Sequence, residues 1–285
     1  MALFSLLIAL LLERTLTLGD QWQFESWFSK LSTKLRGTFE PTATLFTIVA
    51  LTIPAALTYI VLQLAEGLLF GLVSLFVWIV VALISVGCLH YRTLYKKYLL
   101  SVCHQDIQAS YHVAAALAEL DLLDINDEAK LGAKVGRQLT WINYRFYCTT
   151  VLMMVIGGPV AVIFYASVRT MALLTARDQL PSNSLVNLVL FVLDWLPARV
   201  VALGYVMVGN FSHSISVWFS LVIKPNVSAY ELVSQVAMAA EQVSHQSDNQ
   251  GVCMQSTCRL VHLAKRNLML VVAIIALMTI SGIII

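Results

Sequence analysis

The sequence predicts an all-α, polytopic membrane protein. The expected architecture is a helical bundle with about four spans of roughly 20 apolar residues each. It includes a re-entrant or broken Gly-Gly-Pro helix and amphipathic helices at the cytoplasmic interface. Three observations carry this prediction. Of the 285 residues, 59% are hydrophobic and 12% charged, with a mean hydropathy of +0.80; a soluble domain carries about 25% charged residues. Apolar runs of bilayer length recur along the chain. The stretch from Trp141 to Val168 joins an aromatic and cationic belt (Trp141, Tyr144, Arg145, Phe146, Tyr147) to an apolar run broken only at Gly157-Gly158-Pro159. Rings and Arg favour the headgroup level, and the apolar run favours lipid. A break at membrane depth frees backbone carbonyls, which need other helices or a water-lined cavity.

Residues 1–285 are read as a single membrane domain. The net charge of +2 gives no reason to expect nucleic acid as a partner; the expected partners are the lipid bilayer and a small amphiphilic ligand, and an oligomer stays open. The five cysteines, Cys88, Cys103, Cys148, Cys253 and Cys258, are odd in number and scattered, unlike a disulfide framework. The six histidines show no ligand spacing. No metal site is expected, although carboxylates holding Mg²⁺ stay open, and no cofactor is indicated. P-loop, HExxH, GxSxG and dinucleotide fingerprints are absent.

Ala2 to Leu12 is apolar and ends at Glu13-Arg14. It is too short to span a bilayer and lacks the basic start and small-residue cleavage site of a signal peptide, so a buried or interfacial helix is expected. Gly19-Asp20 reads as a stop. Gln21 to Arg36 interleaves Trp22, Phe24, Trp27, Phe28 and Leu31 with Lys30, Lys34 and Arg36. It suits either a membrane surface or a helix face packed on the protein.

Phe46 to Leu64 is a first span with a tolerated Pro54, and Leu68 to Leu89 is a second. Tyr91 to Thr140 is the most polar region and is expected to form a cytoplasmic helical hairpin. Asp121, Asp124, Asp127 and Glu128 make an acidic turn there, with Asn126 or Asp127 as a cap. Arg169, Arg177 and Asp178 then mark an interface. Asp194 sits where an N-cap would, with Pro197 in the following turn, so a new helix is expected to start near Asp194. Ser228 to Ser244 is amphipathic, Ser247 to Ser256 is a mostly polar loop, and Leu268 to Ile285 is a terminal span preceded by Lys265-Arg266. Those two residues place its start on the cytoplasmic side. The chain must therefore return inside after the Trp141–Val168 stretch. Either the Gly-Gly-Pro break turns it back or Leu185 to Val208 supplies the return pass; the length of that apolar run favours the second.

Ionisable residues near membrane depth are costly and tend to mark sites. Glu13, Asp20, Asn143, Arg145, Asp194 and Arg199 are the candidate ligand-binding residues, expected to converge near the cytoplasmic edge. Plainer roles are a headgroup anchor for Arg145, an N-cap for Asp194 and a snorkelling side chain for Arg199.

LLLERTLTLGDQWQ at 10–23, WINYRFY at 141–147 followed by Gly-Gly-Pro, and VLDWLPARVVAL at 192–203 resemble the AmpE family in order and spacing, over essentially the whole chain. The resemblance implies a bacterial inner-membrane protein linked to regulation of β-lactamase expression alongside the AmpD amidase, in a signalling or sensory role. The chain also looks distantly like the CobD/CbiB family. Those membrane enzymes join an aminopropanol unit to a corrinoid carboxylate as an amide. The shared parts are LLLERTLTLGD, Asn143 with GGPVAVIFYASVRTM, and WLPARVVAL. Gln21 stands where that family has Pro, and its Asn-Thr-Leu-Asp, Lys-Pro-Thr and Gly-Arg-Asp-Thr runs are absent. Three function classes follow: a regulatory membrane protein, a CobD-like enzyme forming an amide or phosphate-linked conjugate, and a transporter. No internal repeat supports the third. Whether any reaction is catalysed stays open.

The Lys/Arg asymmetry yields a topology. The turn from Gln63 to Gly67 holds Glu66 and no Lys or Arg, whereas Lys34, Arg36, Arg92, Lys96 and Lys97 flank the first two spans. In intact cells, an impermeant thiol reagent should label a cysteine at Gln63 and spare cysteines at Lys96 and Lys265. The reverse pattern would invert the model.

Overall fold

The computed structural model describes residues 2–15, 19, 22–37, 44–66, 71–118, 128–177, 180, 184–242 and 252–282. Every regular element among them is helical: α1 (Ala2–Thr15), α2 (Phe24–Arg36), α3 (Thr44–Ala65), α4 (Leu72–Val86), α5 (Leu89–Cys103), α6 (Ile107–Ala118), α7 (Glu128–Asn143), a π-helical segment (Tyr144–Cys148), α8 (Thr149–Ala176), α9 (Ser184–Val208), α10 (Phe211–Val222), α11 (Ala229–Ala240) and α12 (Val252–Ile280). Four helical stretches are long and apolar enough to cross a membrane: Thr44–Ala65, Leu131–Ala176, Ser184–Val208 and Gln255–Ile280. Counting α4 with α5 as one span broken at Gly87-Cys88 gives up to five. With no water in the bilayer core, backbone groups must be satisfied within the chain, and helices do this locally.

The chain forms two compact units, Met1–Leu89 with Thr149–Leu196 and Ile274–Ile285, and His90–Cys148 with Pro197–Ala273. In the first unit α8 is the hub. Helices α1, α2, α3 and α4 all pack on it, and α1 also packs on α4. The Gly-Gly-Pro break is a kink inside α8. Gly157 has φ −140° and ψ 16°, and Gly158 has φ 64° and ψ −159°. The latter conformation is essentially restricted to glycine. Pro159 opens the continuing helix, where its missing N–H costs nothing. Trp78 of α4 covers the break, 3.3 Å from where a Gly158 Cβ would stand.

The second unit is held by small residues and buried polar side chains at helix crossings. Helix α7 packs on α6 and α11, and α10 on α11. Gly136 of α7 lets the backbone of α12 approach, with Thr257 Cα 3.1 Å from the place of a Cβ, and the Thr257 hydroxyl donates to the Gly132 carbonyl at 2.8 Å. Asn267 of α12 is fully buried and donates to the Val201 carbonyl of α9 at 3.0 Å. Asn210 caps α10 through His213 N, and its own N–H donates to the Ala240 carbonyl at 2.8 Å. Close backbone approach plus side-chain hydrogen bonds is how helices associate in lipid.

Several expectations change. No helix starts at Asp194: α9 runs unbroken from Ser184, with Asp194 and Pro197 in its interior. Apolar sequence on both sides makes a helix end at that depth too costly, and a bilayer helix tolerates the proline. Asp194 is therefore not an N-cap. Arg169, expected to mark an interface, is buried within the protein, at 2% exposure. The final span belongs to a longer helix that begins at Val252, so part of the expected polar loop is helical. Helix α10 was not anticipated. The Asp121–Asp127 turn and its caps lie outside the described residues.

The α9–α12 crossing gives a direct test. A Cβ on Gly204 would stand 2.1 Å from Asn267 Oδ1. Gly204→Ala should displace Asn267 and lower stability by about 1–3 kcal/mol, the usual cost of overpacking. Gly37→Ala, whose nearest neighbour would lie 3.5 Å away, should leave it unchanged. Thermal unfolding in detergent, followed by tryptophan fluorescence, reads the difference; equal midpoints would contradict the crossing.

Candidate functional site

The interior of the first unit holds charges that an apolar bundle does not need. Helices α1, α4 and α8 pack pairwise around it. Glu13 of α1, Arg169 of α8 and Asp194 of α9 are all buried, at 7%, 2% and 3% exposure. Tyr165 and Arg169 lie one helical turn apart on α8 and share its buried face. Arg169 Nη2 donates to the Ser85 carbonyl of α4 at 3.0 Å, and its guanidinium lies 5.9 Å from the Tyr165 ring centroid. Tyr165 donates from its hydroxyl to Asp194 Oδ1 at 3.0 Å. A polar path thus runs from the Ser85 backbone through Arg169 and Tyr165 to Asp194, tying together α4, α8 and α9.

The local sequence explains the placement. Asp194 lies on the inward stripe of α9 with Ala198, Val201, Ala202 and Tyr205, all buried. The kink at Gly157-Gly158 restarts α8, and Tyr165 and Arg169 fall in the run of buried residues from Tyr165 to Met171 in its second half. The Ser85 hydroxyl is also buried and has no hydrogen-bond partner. Buried hydroxyls are ordinarily paired. An unpaired one beside a guanidinium contact marks a position where a further polar atom is accommodated.

These groups can recognise charge. Arg169 suits an anionic oxygen, in a planar geometry that Lys cannot reproduce, and the carboxylates suit a cationic or hydroxyl group. Among the described residues, no group of three or more His, Cys, Asp and Glu side chains could hold a metal ion.

Of the residues expected from sequence, Glu13 and Asp194 belong to this unit, whereas Asn143, Arg145 and Arg199 belong to the second. Asp20 lies outside the described residues. In the second unit the Arg145 guanidinium lies 5.4 Å from the Trp141 ring, and Asn143 Oδ1 is the acceptor for the Cys148 thiol at 3.6 Å. Arg199 Nη2 reaches the Lys224 carbonyl at 3.5 Å. Sequence reasoning missed Ser85, Tyr165 and Arg169 as site residues. The signal was present: a Tyr and an Arg at i, i+4 in an apolar helix, past its restart.

Comparison with known proteins covers the full chain. The family model described as "Regulatory signalling modulator protein AmpE" matches residues 1–285. A curated relative, Protein AmpE of Shigella flexneri, is 29% identical over 290 residues, covering 99% of both chains. No solved structure matches. With its full-length family match and its membrane-crossing helices, the chain belongs to the AmpE family of membrane regulatory proteins.

Proposed function

We propose that this protein acts in the cytoplasmic membrane of a bacterium as a regulator of β-lactamase expression, responding to a small amphiphilic molecule. The polar end of that molecule would be held by the buried Arg169–Tyr165–Asp194 path, with Glu13 a further buried carboxylate of the same unit, and its apolar part by the surrounding helices. One observation carries the ligand part of this reading. Charged side chains sit in the interior of a mostly apolar bundle, beside a buried Ser85 hydroxyl with no partner. Scaffold helices gain nothing from such charges, which are expensive in a membrane and accompany function. The regulatory part rests on family membership.

The test is complementation of a gene-deletion strain, reading β-lactamase induced by a β-lactam. Asp194→Asn keeps an acceptor for the Tyr165 hydroxyl but removes the charge. Arg169→Lys keeps the charge but removes the planar fork. Both should accumulate in the membrane and fail to restore normal induction. Tyr165→Phe deletes one intramembrane hydrogen bond, worth about 0.6 kcal/mol on average, so it should fold and lose only part of the response. Full restoration by Asp194→Asn and Arg169→Lys at native expression would remove the ligand site from the proposal. Unchanged induction in the deletion strain itself would remove β-lactamase regulation.

A further inference from the structure

A second cationic feature, in the other unit, is independent of the buried group and of the regulatory reading. Lys134, Arg137, Trp141 and Arg145 recur about one turn apart along α7 and the π segment, so they share one face. The rings and guanidiniums on this face are stacked. Arg137 lies 5.0 Å from the centroid of the Tyr230 ring, contributed by α11. Tyr230 meets Trp141 edge-on at 5.4 Å, Trp141 stacks on Tyr144 at 5.1 Å, and Arg145 lies 5.4 Å from Trp141. A ladder built by two helices therefore places stacked rings between two guanidiniums.

We propose that this ladder binds the phosphate headgroup of an anionic phospholipid. Three features select that ligand. The first is uncompensated charge. Arg137 and Lys134 form no ion pair among the described residues, and Arg137 Nε is buried without a hydrogen-bond partner. Glu231, next to Tyr230, has its carboxylate engaged by Gln235 Nε2 at 3.0 Å and makes no ion pair among the described residues. The second is geometry. A ring takes the flat face of a guanidinium and leaves its N–H edge for in-plane contacts, the arrangement that matches a phosphate. The third is depth. The ladder lies near the polar start of the Leu131–Ala176 span, where Trp and Tyr rings settle at the headgroup level. The anion present at that level is the lipid phosphate itself, and basic sites beside membrane helices bind such headgroups. The π-helical turn at Tyr144–Cys148 rotates the face just where the belt meets the apolar run, a distortion that recurs at functional positions.

The experiment is native mass spectrometry of the purified, delipidated full chain. It is titrated with phosphatidylglycerol and, separately, with phosphatidylcholine of the same acyl chains. The wild type should prefer phosphatidylglycerol by on the order of 10-fold, given two or more basic residues at the surface. The preference should disappear in Arg137→Gln/Arg145→Gln and persist, weakened, in the corresponding double Lys variant. Excess inorganic phosphate should not displace the lipid. A double Gln variant with the wild-type preference would overturn the proposal. So would displacement by inorganic phosphate, which would assign the ladder to a soluble anion. Should the double variant fail to fold, the wild type decides alone: its preference should shrink as salt is raised, and no preference at low salt sinks the idea.

Discussion

Satisfying the backbone without water is the constraint on which the rest of this structure depends. A bilayer offers no partner to a free N–H or C=O, so every long apolar run becomes helix and every departure from helix has to be covered. The kink in α8 illustrates both halves of that rule. Gly157 and Gly158 leave helical geometry, Pro159 restarts the helix without a wasted donor, and Trp78 closes over the gap. In α9 the same constraint works in the opposite direction. Pro197 and Asp194 are poor interior helix residues in water, yet the helix continues through both, because ending it there would expose more groups than the proline removes.

The two units handle buried polarity differently. In the second unit it serves packing. Gly136 admits the α12 backbone beside the Thr257–Gly132 bond, and Gly204 fits under Asn267 while Asn267 reaches the Val201 carbonyl. Each contact is a neutral hydrogen bond between close helices, the ordinary means of association in lipid. In the first unit charged groups are buried as well as neutral hydroxyls. Arg169, Asp194 and Glu13 would each cost several kcal/mol if left without compensation, whereas the buried side chains at the second unit's crossings are neutral. That contrast is the physical reason for placing the ligand's polar end in the first unit.

Membership of the AmpE family gives the chain a regulatory setting, and the two proposals together divide the labour within it. A buried charged group linked across α4, α8 and α9 is suited to sensing, because a bound polar group would alter how those helices are tied. A cation–aromatic ladder on α7 and α11 is suited to holding the protein at a chosen depth among anionic lipids. The two features use the same residue types at different burial: an arginine deep in helix packing, and arginines stacked on rings at the edge of a span.

The sequence by itself determined the class and the spans. Apolar run length, aromatic belts and the Gly-Gly-Pro break are local signals, and they located α3, α8 and the terminal span without reference to any neighbour, while α9 was divided at Asp194. They could not say which polar residues face inward. Asp194 read as an N-cap because the residues around it match a helix start, and only continuity with the preceding apolar run and the Tyr165 hydroxyl reveal a buried acceptor in mid-helix. Arg169 read as an interface residue because Arg177 and Asp178 follow it, and only the packing of four helices on α8 shows it to be interior. Glu13 was legible as a candidate because a carboxylate ends an otherwise apolar helix. Ser85 was not, since its part in the site is played by a backbone carbonyl and an unpaired hydroxyl that any serine carries. Tertiary structure decided these placements because burial of a charge depends on what stands opposite it, and that partner is supplied by a helix distant in sequence.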